Sequence, residues 1–450
     1  MKVYLDTVGC RLNQSEIETY AREFRAAGHS IVAVPAEADL TVVNTCTVTV
    51  AAAADSRKKI RRAARAGCGK IIATGCWATL EASAAQSLPG VSQVIPNLEK
   101  ERLVPKILQV DPEMVGGKLS PRKPIPGPRS RTRAFIKAQD GCDNGCTFCI
   151  TTVARGAGRS RAVVDVLADI RAAHDGGVQE AVLTGVHLGS WGQDFNSPQS
   201  LRDLIENILS ATKISRLRIS SLEPWDLDAE FFSLWEDERL ARQLHLPLQS
   251  GCSATLRRMA RKTSPDEYAN LVGIARSAIP DVAITTDVIA GFPGESEVEF
   301  EESLAFVRGM NFAGGHVFTY SARPGTAAAR MSGQVPHPIR KSRNAKMRAV
   351  FASAAKAYQS RFLGQCVSVL WESATELDSG DWALKGLSDN YLRVTAQSPE
   401  RLWNRITDVV ISGMREHGLF GEVQNAIDRT PSGMLGENRC CFAKPTCIGW

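Results

Sequence analysis

The sequence predicts an α/β protein that ends in a small all-β module. Three observations carry this prediction. Short β-rich runs alternate with helical stretches over residues 1–110, a second and longer series of the same kind follows from 134, and from about 361 the chain changes to closely spaced short strands.

In the first series, "KVYLDT" (2–7) runs to Gly9-Cys10, "LTVVN" (40–44) to Thr45-Cys46, and "KIIAT" (70–74) to Gly75-Cys76. Helical patterns such as "SEIETYAREFRAAG" (15–28) fill the gaps. This is the βαβ rhythm of a parallel sheet, in which ligands sit beyond the carboxyl ends of the strands. Each of the three strands puts one cysteine at that end. The second series offers strands at 134–138, 180–185, 216–221, 243–247, 283–289 and 315–320. Six βα units in line predict a partial (β/α)6 barrel with its chemistry at the strand C-termini. "QCVSVLWE", "DWALKGL", "YLRVTAQ" and "RITDVVISGM" predict the final β module. The expected organisation is a sheet domain over 1–115, a basic proline-rich linker over 116–133, the partial barrel over 134–358, the β module over 361–426 and an unstructured tail over 427–450.

Composition narrows the function classes. The 450 residues are 44% hydrophobic and 23% charged, as in ordinary soluble domains. No run of about 18 apolar residues occurs, and "MKVYLDTVGC" lacks the layout of a signal peptide, so the reading is a cytoplasmic protein without a membrane span. The net charge of +6 is mildly basic; "SRKKIRRAARAGCGK" (56–70) and "PRKPIPGPRSRTR" (121–133) concentrate it. Twelve cysteines in such a chain argue for metal or redox chemistry over a disulfide framework.

Three of those cysteines, Cys142, Cys146 and Cys149, fall within "DGCDNGCTFC" (140–149). Thiolates suit iron–sulfur clusters, zinc and copper(I). A closed zinc site or a ferredoxin cluster takes four protein ligands. Three thiolates on a [4Fe–4S] cube leave one iron open to a substrate or cosubstrate. Cys10, Cys46 and Cys76 form a second trio that converges on one sheet edge if their strands are neighbours. Cys68, Cys252 and Cys366 read as structural. Cys440, Cys441 and Cys447 in the tail match no pattern.

"DGCDNGCTFC" followed by "RGAGRSR" resembles the core of the radical S-adenosylmethionine (SAM) methylthiotransferase family. "TVGCRLNQSE", "VVNTCTVT" and "ATGCWA" resemble that family's first-domain cysteine motifs. "LTGVHLGSWGQD", "HLPLQSGCSATLRRMARKTSPDEY", "TTDVIAGFPGES" and "HVFTYSARPGTAAARM" resemble its later core motifs, and "LGQCVSVLWE…GLSDNYLRV" its TRAM domain. The resemblance spans residues 1–425 and is nearest the branch acting on threonylcarbamoyl-adenosine (t6A) in tRNA. Other branches act on isopentenyl-adenosine in tRNA or on a ribosomal-protein aspartate, and a non-catalytic iron–sulfur RNA-binding protein is the alternative from another class.

The resemblance implies a central radical SAM barrel and a TRAM-like RNA-binding module. It implies two [4Fe–4S] clusters, with Cys142, Cys146 and Cys149 holding the radical-generating one and Cys10, Cys46 and Cys76 the auxiliary one. It further implies SAM on the open iron, a tRNA anticodon stem-loop as substrate, and an electron donor such as a flavodoxin or ferredoxin system acting on a monomer. For SAM and substrate contacts the candidates are Gly185 and Gly189 in "TGVHLG", Glu223 in "SSLEP", and Asp287 and Glu295 in "DVIAGFPGES". His245 and Gln249 lie at another strand end. Arg155, Arg159 and Arg161 are placed to bind phosphate or carboxylate through forked donors. Trp371, Trp382, Lys385, Tyr391, Arg393, Arg401 and Trp403 are the basic and aromatic residues of the β module.

Overall fold

The computed structural model describes residues 1–116, 121–126 and 132–424. The tail, with Cys440, Cys441 and Cys447, and part of the basic linker lie outside the described residues. Strands β1 (Lys2–Thr7), β2 (Ser30–Ile31), β3 (Leu40–Thr45), β4 (Lys70–Gly75) and β5 (Val91–Ile95) form one parallel sheet in the order β2-β1-β3-β4-β5. Alternation along the strands sorts its two faces. Leu40, Val42 and Ile72 pack with Ile17, Tyr20 and Phe24 of helix α1 (Arg11–Ala26). Val43, Ile71 and Ala73 pack with Ala53, Ile60 and Ala63 of α2 (Val50–Arg65). With helices on both faces, β3 is buried along its whole length. The expected adjacency holds, because β1, β3 and β4 are consecutive in the sheet.

Strand β6 (Ala134–Lys137) opens the second series. A short antiparallel pair, β7 (Gln139–Asp140) and β8 (Arg159–Ser160), brackets the Cys142–Cys149 loop. Parallel pairing then gives β6 beside β9 (Glu180–Thr184) and β10 (Arg216–Ile219), and β11 (Gln243–His245) beside β12 (Ala283–Ala290) and β13 (Gly314–Thr319). Single bridges, Leu217 to Leu240 and Ser221 to His245, join the halves into one six-stranded curved wall. Capping boxes start three of its outer helices, with Ser200–Asp203, Ser264–Glu267 and Ser296–Glu299 exchanging hydrogen bonds. Ala181, Leu183, Leu217, Ile219 and Leu244 lie in the apolar layer under those helices. Their neighbours Glu180, Arg216, Arg218, Gln243 and His245 therefore face the concave side, which is polar.

Strands β14 (Cys366–Glu376), β15 (Trp382–Ser388), β16 (Arg393–Ser398), β17 (Ile406–Arg415) and β18 (Gly418–Val423) close a barrel in the order β14-β15-β16-β18-β17. Trp371 is in its core, donating from Nε1 to Thr407 Oγ1 at 2.9 Å. The described linker residues are held against the sheet domain. Arg122 forks onto Glu18 (2.9 and 3.0 Å), and Arg25 donates to Lys123 O and Pro124 O. Among the described residues no helix is long and apolar enough to cross a membrane.

The β barrel docks through buried charge. Arg218 donates to both oxygens of Glu180 (2.7 and 3.2 Å) and to the backbone oxygens of Ser388 and Asp389. Arg216 reaches Ser368 of the barrel and, at 3.5 Å, Glu180. Burial pushes the Glu180 carboxyl up, but Arg218 outweighs it and holds the pKa at about 2, below the ordinary 4.5. A depressed carboxylate stabilises the folded state above its unfolded pKa, and that stabilisation disappears as pH falls through the folded value. Glu180 should therefore contribute about 3 kcal/mol that is lost between roughly pH 4.5 and 2. Urea unfolding of the apo-protein checks this: the stability gap between wild type and Glu180→Gln should narrow across that window, and a gap independent of pH would contradict it.

Candidate active site between the two cysteine trios

Cys10 follows β1 just ahead of α1, Cys46 follows β3, and Cys76 opens α3 (Cys76–Leu80) after β4. Adjacent parallel strands thus present all three thiols at one sheet edge. Gly9 makes the approach possible. It has φ of +101°, and a Cβ there would fall 2.6 Å from Cys46 Sγ. Burial pushes the Cys46 thiol up to about 11. Cys10 has an exposed surface, yet the surrounding protein still raises its pKa by desolvation.

The second trio lies in the loop between β7 and the helix Thr151–Arg155. Backbone N–H groups of Asn144 and Thr151 point at Cys142 Sγ and Cys149 Sγ, each at 3.4 Å. Arg261 Nη1 lies 3.8 Å from Cys146 Sγ. Burial raises the pKa of the Cys146 thiol, and Arg261 opposes that rise. Gly141 holds φ of +73°, and a Cβ there would fall 1.9 Å from Ala157 O. His187 binds Asp226 Oδ2 at 2.6 Å; burial opposes its protonation, but Asp226 and Cys142 raise its pKa to about 10.

Asn97, Glu16 and Lys100, absent from the sequence reading, join the trios together with Arg155. Asn97 Nδ2 reaches Cys76 Sγ (3.6 Å) and donates to Ala154 O (2.7 Å), on the helix that follows Cys149. Arg155, 2% exposed, donates to Asn13 Oδ1 (2.7 Å), Asp140 Oδ1 (2.8 Å) and Glu16 Oε1 (3.3 Å). Lys100 pairs with the same two acids, Glu16 at 2.5 Å and Asp140 at 3.0 Å. Burial would raise the Glu16 pKa, but Lys100 and Arg155 bring it to about 2. The forked arginines of "RGAGRSR" thus meet the protein itself: Arg155 binds Glu16 and Asp140, Arg161 binds Asp169, and Arg159 donates to the backbone oxygens of Arg155 and Ala157.

The other sequence candidates occupy varied settings. Gly185 packs beside Gln139, whose Oε1 accepts the N–H groups of Val186 and His187. Gly189 makes room for Asp226, whose Oδ2 would lie 2.3 Å from a Cβ. Glu223 pairs with Arg261 (2.6 Å), which stacks over Trp225. Asp287 pairs with His245 at 3.3 Å, and its buried Oδ1 has no partner among the described residues. Glu295 accepts from Gly291 N–H and Arg343, so its carboxylate is committed to the chain. Gln249 stands in the left-handed region (φ 72°). Cys252 is buried and donates to Glu302.

Residues 2–95 match a family described as uncharacterized protein family UPF0004, and residues 136–307 match the radical SAM superfamily. The threonylcarbamoyladenosine tRNA methylthiotransferase MtaB of Bacillus subtilis (strain 168) is 34% identical over 420 residues, 91% of this chain and 93% of the relative. The chain belongs to the radical SAM methylthiotransferases. The ribosomal protein uS12 methylthiotransferase RimO of Anaeromyxobacter sp. (strain K) is 33% identical over 83% of this chain and 82% of its own. The fold is also that of the radical SAM methyltransferase TsrM from Kitasatospora setae, with a TM-score of 0.56 at 13% identity, covering 73% of this chain and 75% of TsrM.

This methylthiotransferase is a transferase of a class that uses SAM and [4Fe–4S] clusters, and both trios fit such a cluster. Each supplies three cysteine sulfurs and no carboxylate, with N–H donors aimed at sulfur. Among the described residues no three acidic, histidine or cysteine side chains close around one point as a single ion demands; thiolates bound to separate irons of a cube stand further apart.

Two outcomes are expected. Arg155→Met leaves Glu16 and Asp140 buried with a cation removed, which should cost about 3 kcal/mol or more of stability in urea unfolding. If the Cys142–Cys149 loop and the sheet domain each hold a cluster, Gly141→Ala should reduce the iron of the first and spare the second, as read by iron analysis and electron paramagnetic resonance.

Proposed function

We propose that this methylthiotransferase inserts a methylthio group at C2 of N6-threonylcarbamoyladenosine at tRNA position 37, giving 2-methylthio-N6-threonylcarbamoyladenosine. The observation that carries the reading is the pair of three-thiolate sets tied together by Asn97 and Arg155, in a chain matched along 91% of its length by the Bacillus subtilis enzyme.

In this reading Cys142, Cys146 and Cys149 hold the radical-generating cluster, and Cys10, Cys46 and Cys76 the auxiliary cluster. Once bound, these groups and SAM supply a 5′-deoxyadenosyl radical, a sulfur atom and a methyl group. The chain's own residues position and shield. Arg261 holds Cys146 and Glu223 together beside the face of Trp225. The Oδ1 of Asp287 and Oε1 of Gln243, without partners among the described residues, leave acceptors on the concave wall for a bound cosubstrate or base. The regions 1–115 and 134–358 would carry one trio each, and the barrel over 361–426 would grip RNA. Arg401 lies over both Trp382 (5.7 Å) and Trp403 (5.9 Å), and Trp403 is 37% exposed. That is a basic, stacking surface of the kind single-stranded RNA favours. The electron donor would be a flavodoxin or ferredoxin system, the enzyme a cytoplasmic monomer and the tRNA bound by its anticodon stem-loop.

Nucleoside analysis of tRNA from a deletion strain tests the reading. Loss of the methylthiolated t6A nucleoside, restored by the gene, is expected. Its persistence, with loss of methylthio-aspartate from a ribosomal protein instead, would assign the other branch. Reconstituted enzyme should bind about eight irons, falling by half when Cys10, Cys46 and Cys76 become alanine. Trp403→Ala should weaken stem-loop binding by about five- to 100-fold, measured by fluorescence anisotropy.

A further inference from the structure

All three parts of the chain meet at one basic junction. Arg11, the residue after Cys10, donates from Nη2 to the Tyr391 hydroxyl at 3.2 Å. Tyr391 lies in the β15–β16 turn of the barrel, and the guanidinium of Arg218 from the central wall covers its ring at 5.3 Å. Arg133, at the start of β6, completes the ring of cations through Glu180 (3.7 Å) and Glu372 (2.8 Å). Five guanidiniums, Arg11, Arg133, Arg216, Arg218 and Arg242, gather here, and the carboxylates paired with them are Glu180, Glu372 and Asp389. Two positive charges are left over.

Arg11 is where that excess is free. Arg218 and Arg216 are buried under Glu180 and the barrel backbone, and Arg242 is paired with Asp389. Arg11 is half-buried, and among the described residues no carboxylate lies within ion-pair distance of it. A guanidinium that is partly desolvated but unpaired is unfavourable unless an anion completes it. Tyr391 adds a second observation. Its backbone is left-handed, φ 67°, which is a true outlier for a bulky side chain. Strain of this kind persists where the surroundings impose a particular side-chain direction. Here it sets the phenol against Arg11.

We propose that Arg11 and Tyr391 form an oxyanion subsite for the RNA substrate, beside the sulfur-bearing Cys10. The oxyanion is a carboxylate on the target nucleoside or a neighbouring backbone phosphate. Either accepts two N–H bonds from a guanidinium fork and one O–H bond from a phenol. The inference rests on the tRNA reading above, and it makes Arg11 the residue that would separate a carboxylate-bearing adenosine from an uncharged one.

Anisotropy titrations on the cluster-loaded full chain test it, using anticodon stem-loops that carry either N6-threonylcarbamoyladenosine or plain adenosine. Arg11→Gln is expected to weaken binding of the modified stem-loop about tenfold or more, with Arg11→Lys recovering part of the loss. A loss confined to the modified stem-loop assigns the carboxylate; an equal loss for both assigns a phosphate. Wild-type affinity for both in Arg11→Gln overturns the proposal. Iron analysis accompanies each variant. If Arg11→Gln loses iron, Tyr391→Phe, in another part of the chain, takes its place, and unchanged affinity there is equally decisive. Failure of the wild type to methylthiolate the modified stem-loop would refute the functional reading, whereas the subsite stands or falls on binding alone.

Discussion

The ion-pair cluster of Glu16, Asp140, Lys100 and Arg155 is the constraint on which the active region depends. Its four side chains are 3% exposed or less. Charges so buried are tolerable only when every partner is present, and losing one costs far more than the pair itself contributes. Glu16 and Lys100 come from the sheet domain, Asp140 and Arg155 from the two ends of the Cys142–Cys149 loop. The domains can therefore dock in one register only. Asn97 locks the same register from the other side, bridging Cys76 and Ala154. A reaction that made a radical at one trio and drew sulfur from the other, as proposed, would need a fixed separation between them, and this seam supplies one.

The barrel is attached by a different logic. Its seam also buries a carboxylate under arginines, but there positive charge is in excess. On the barrel's outer surface, Arg401 is flanked by Trp382 and Trp403. A polyanion meeting this protein would find a basic stacking surface at Arg401 and a guanidinium without a carboxylate partner among the described residues at Arg11. Long-range attraction of this kind concentrates a polyanion at a surface without reading its bases. Selection then falls to the few directional groups at the junction.

Much of this architecture is legible in the sequence, and the reasons are local. Short β-rich apolar runs punctuated by helical stretches mark the strands, so β1, β3 and β4 and the six strands of the central wall fall where those runs put them. The cysteine trio of the sheet domain is legible because strand ends in a parallel sheet point the same way. Long-range pairing is not legible. Arg155 reads as a phosphate ligand until the fold brings Glu16 from 139 residues away. Gly189 reads as a glycine that admits a cofactor, yet the space it leaves is filled by Asp226. Glu295 reads as a rim acid, and the structure binds it to Arg343. Nothing in "SDNYLRV" marks Tyr391 as a left-handed residue whose hydroxyl meets Arg11 across 380 positions of chain.

A three-thiolate site raises a problem that a four-thiolate site does not have. With four protein ligands the metal itself orders the loop, as in structural zinc sites. With one position left for an exchangeable ligand, the loop must keep its shape while that ligand comes and goes. The sequence around Cys142 does not provide this alone, since Gly141, Gly145 and Gly156 make the segment pliable. Order has to come from outside the loop, and the structure supplies it on two sides. Arg155 and Asp140 tie its ends to the sheet domain. Arg261 holds its middle, reaching Cys146 Sγ, Glu223 and Pro247 O from one guanidinium while stacked on Trp225. Arginine suits that post because its planar fork serves several acceptors at once and keeps its charge throughout. An open coordination position would thus require a fold that clamps the loop from both flanks, and the buried cluster of Glu16, Lys100, Asp140 and Arg155 is the clamp on one of them.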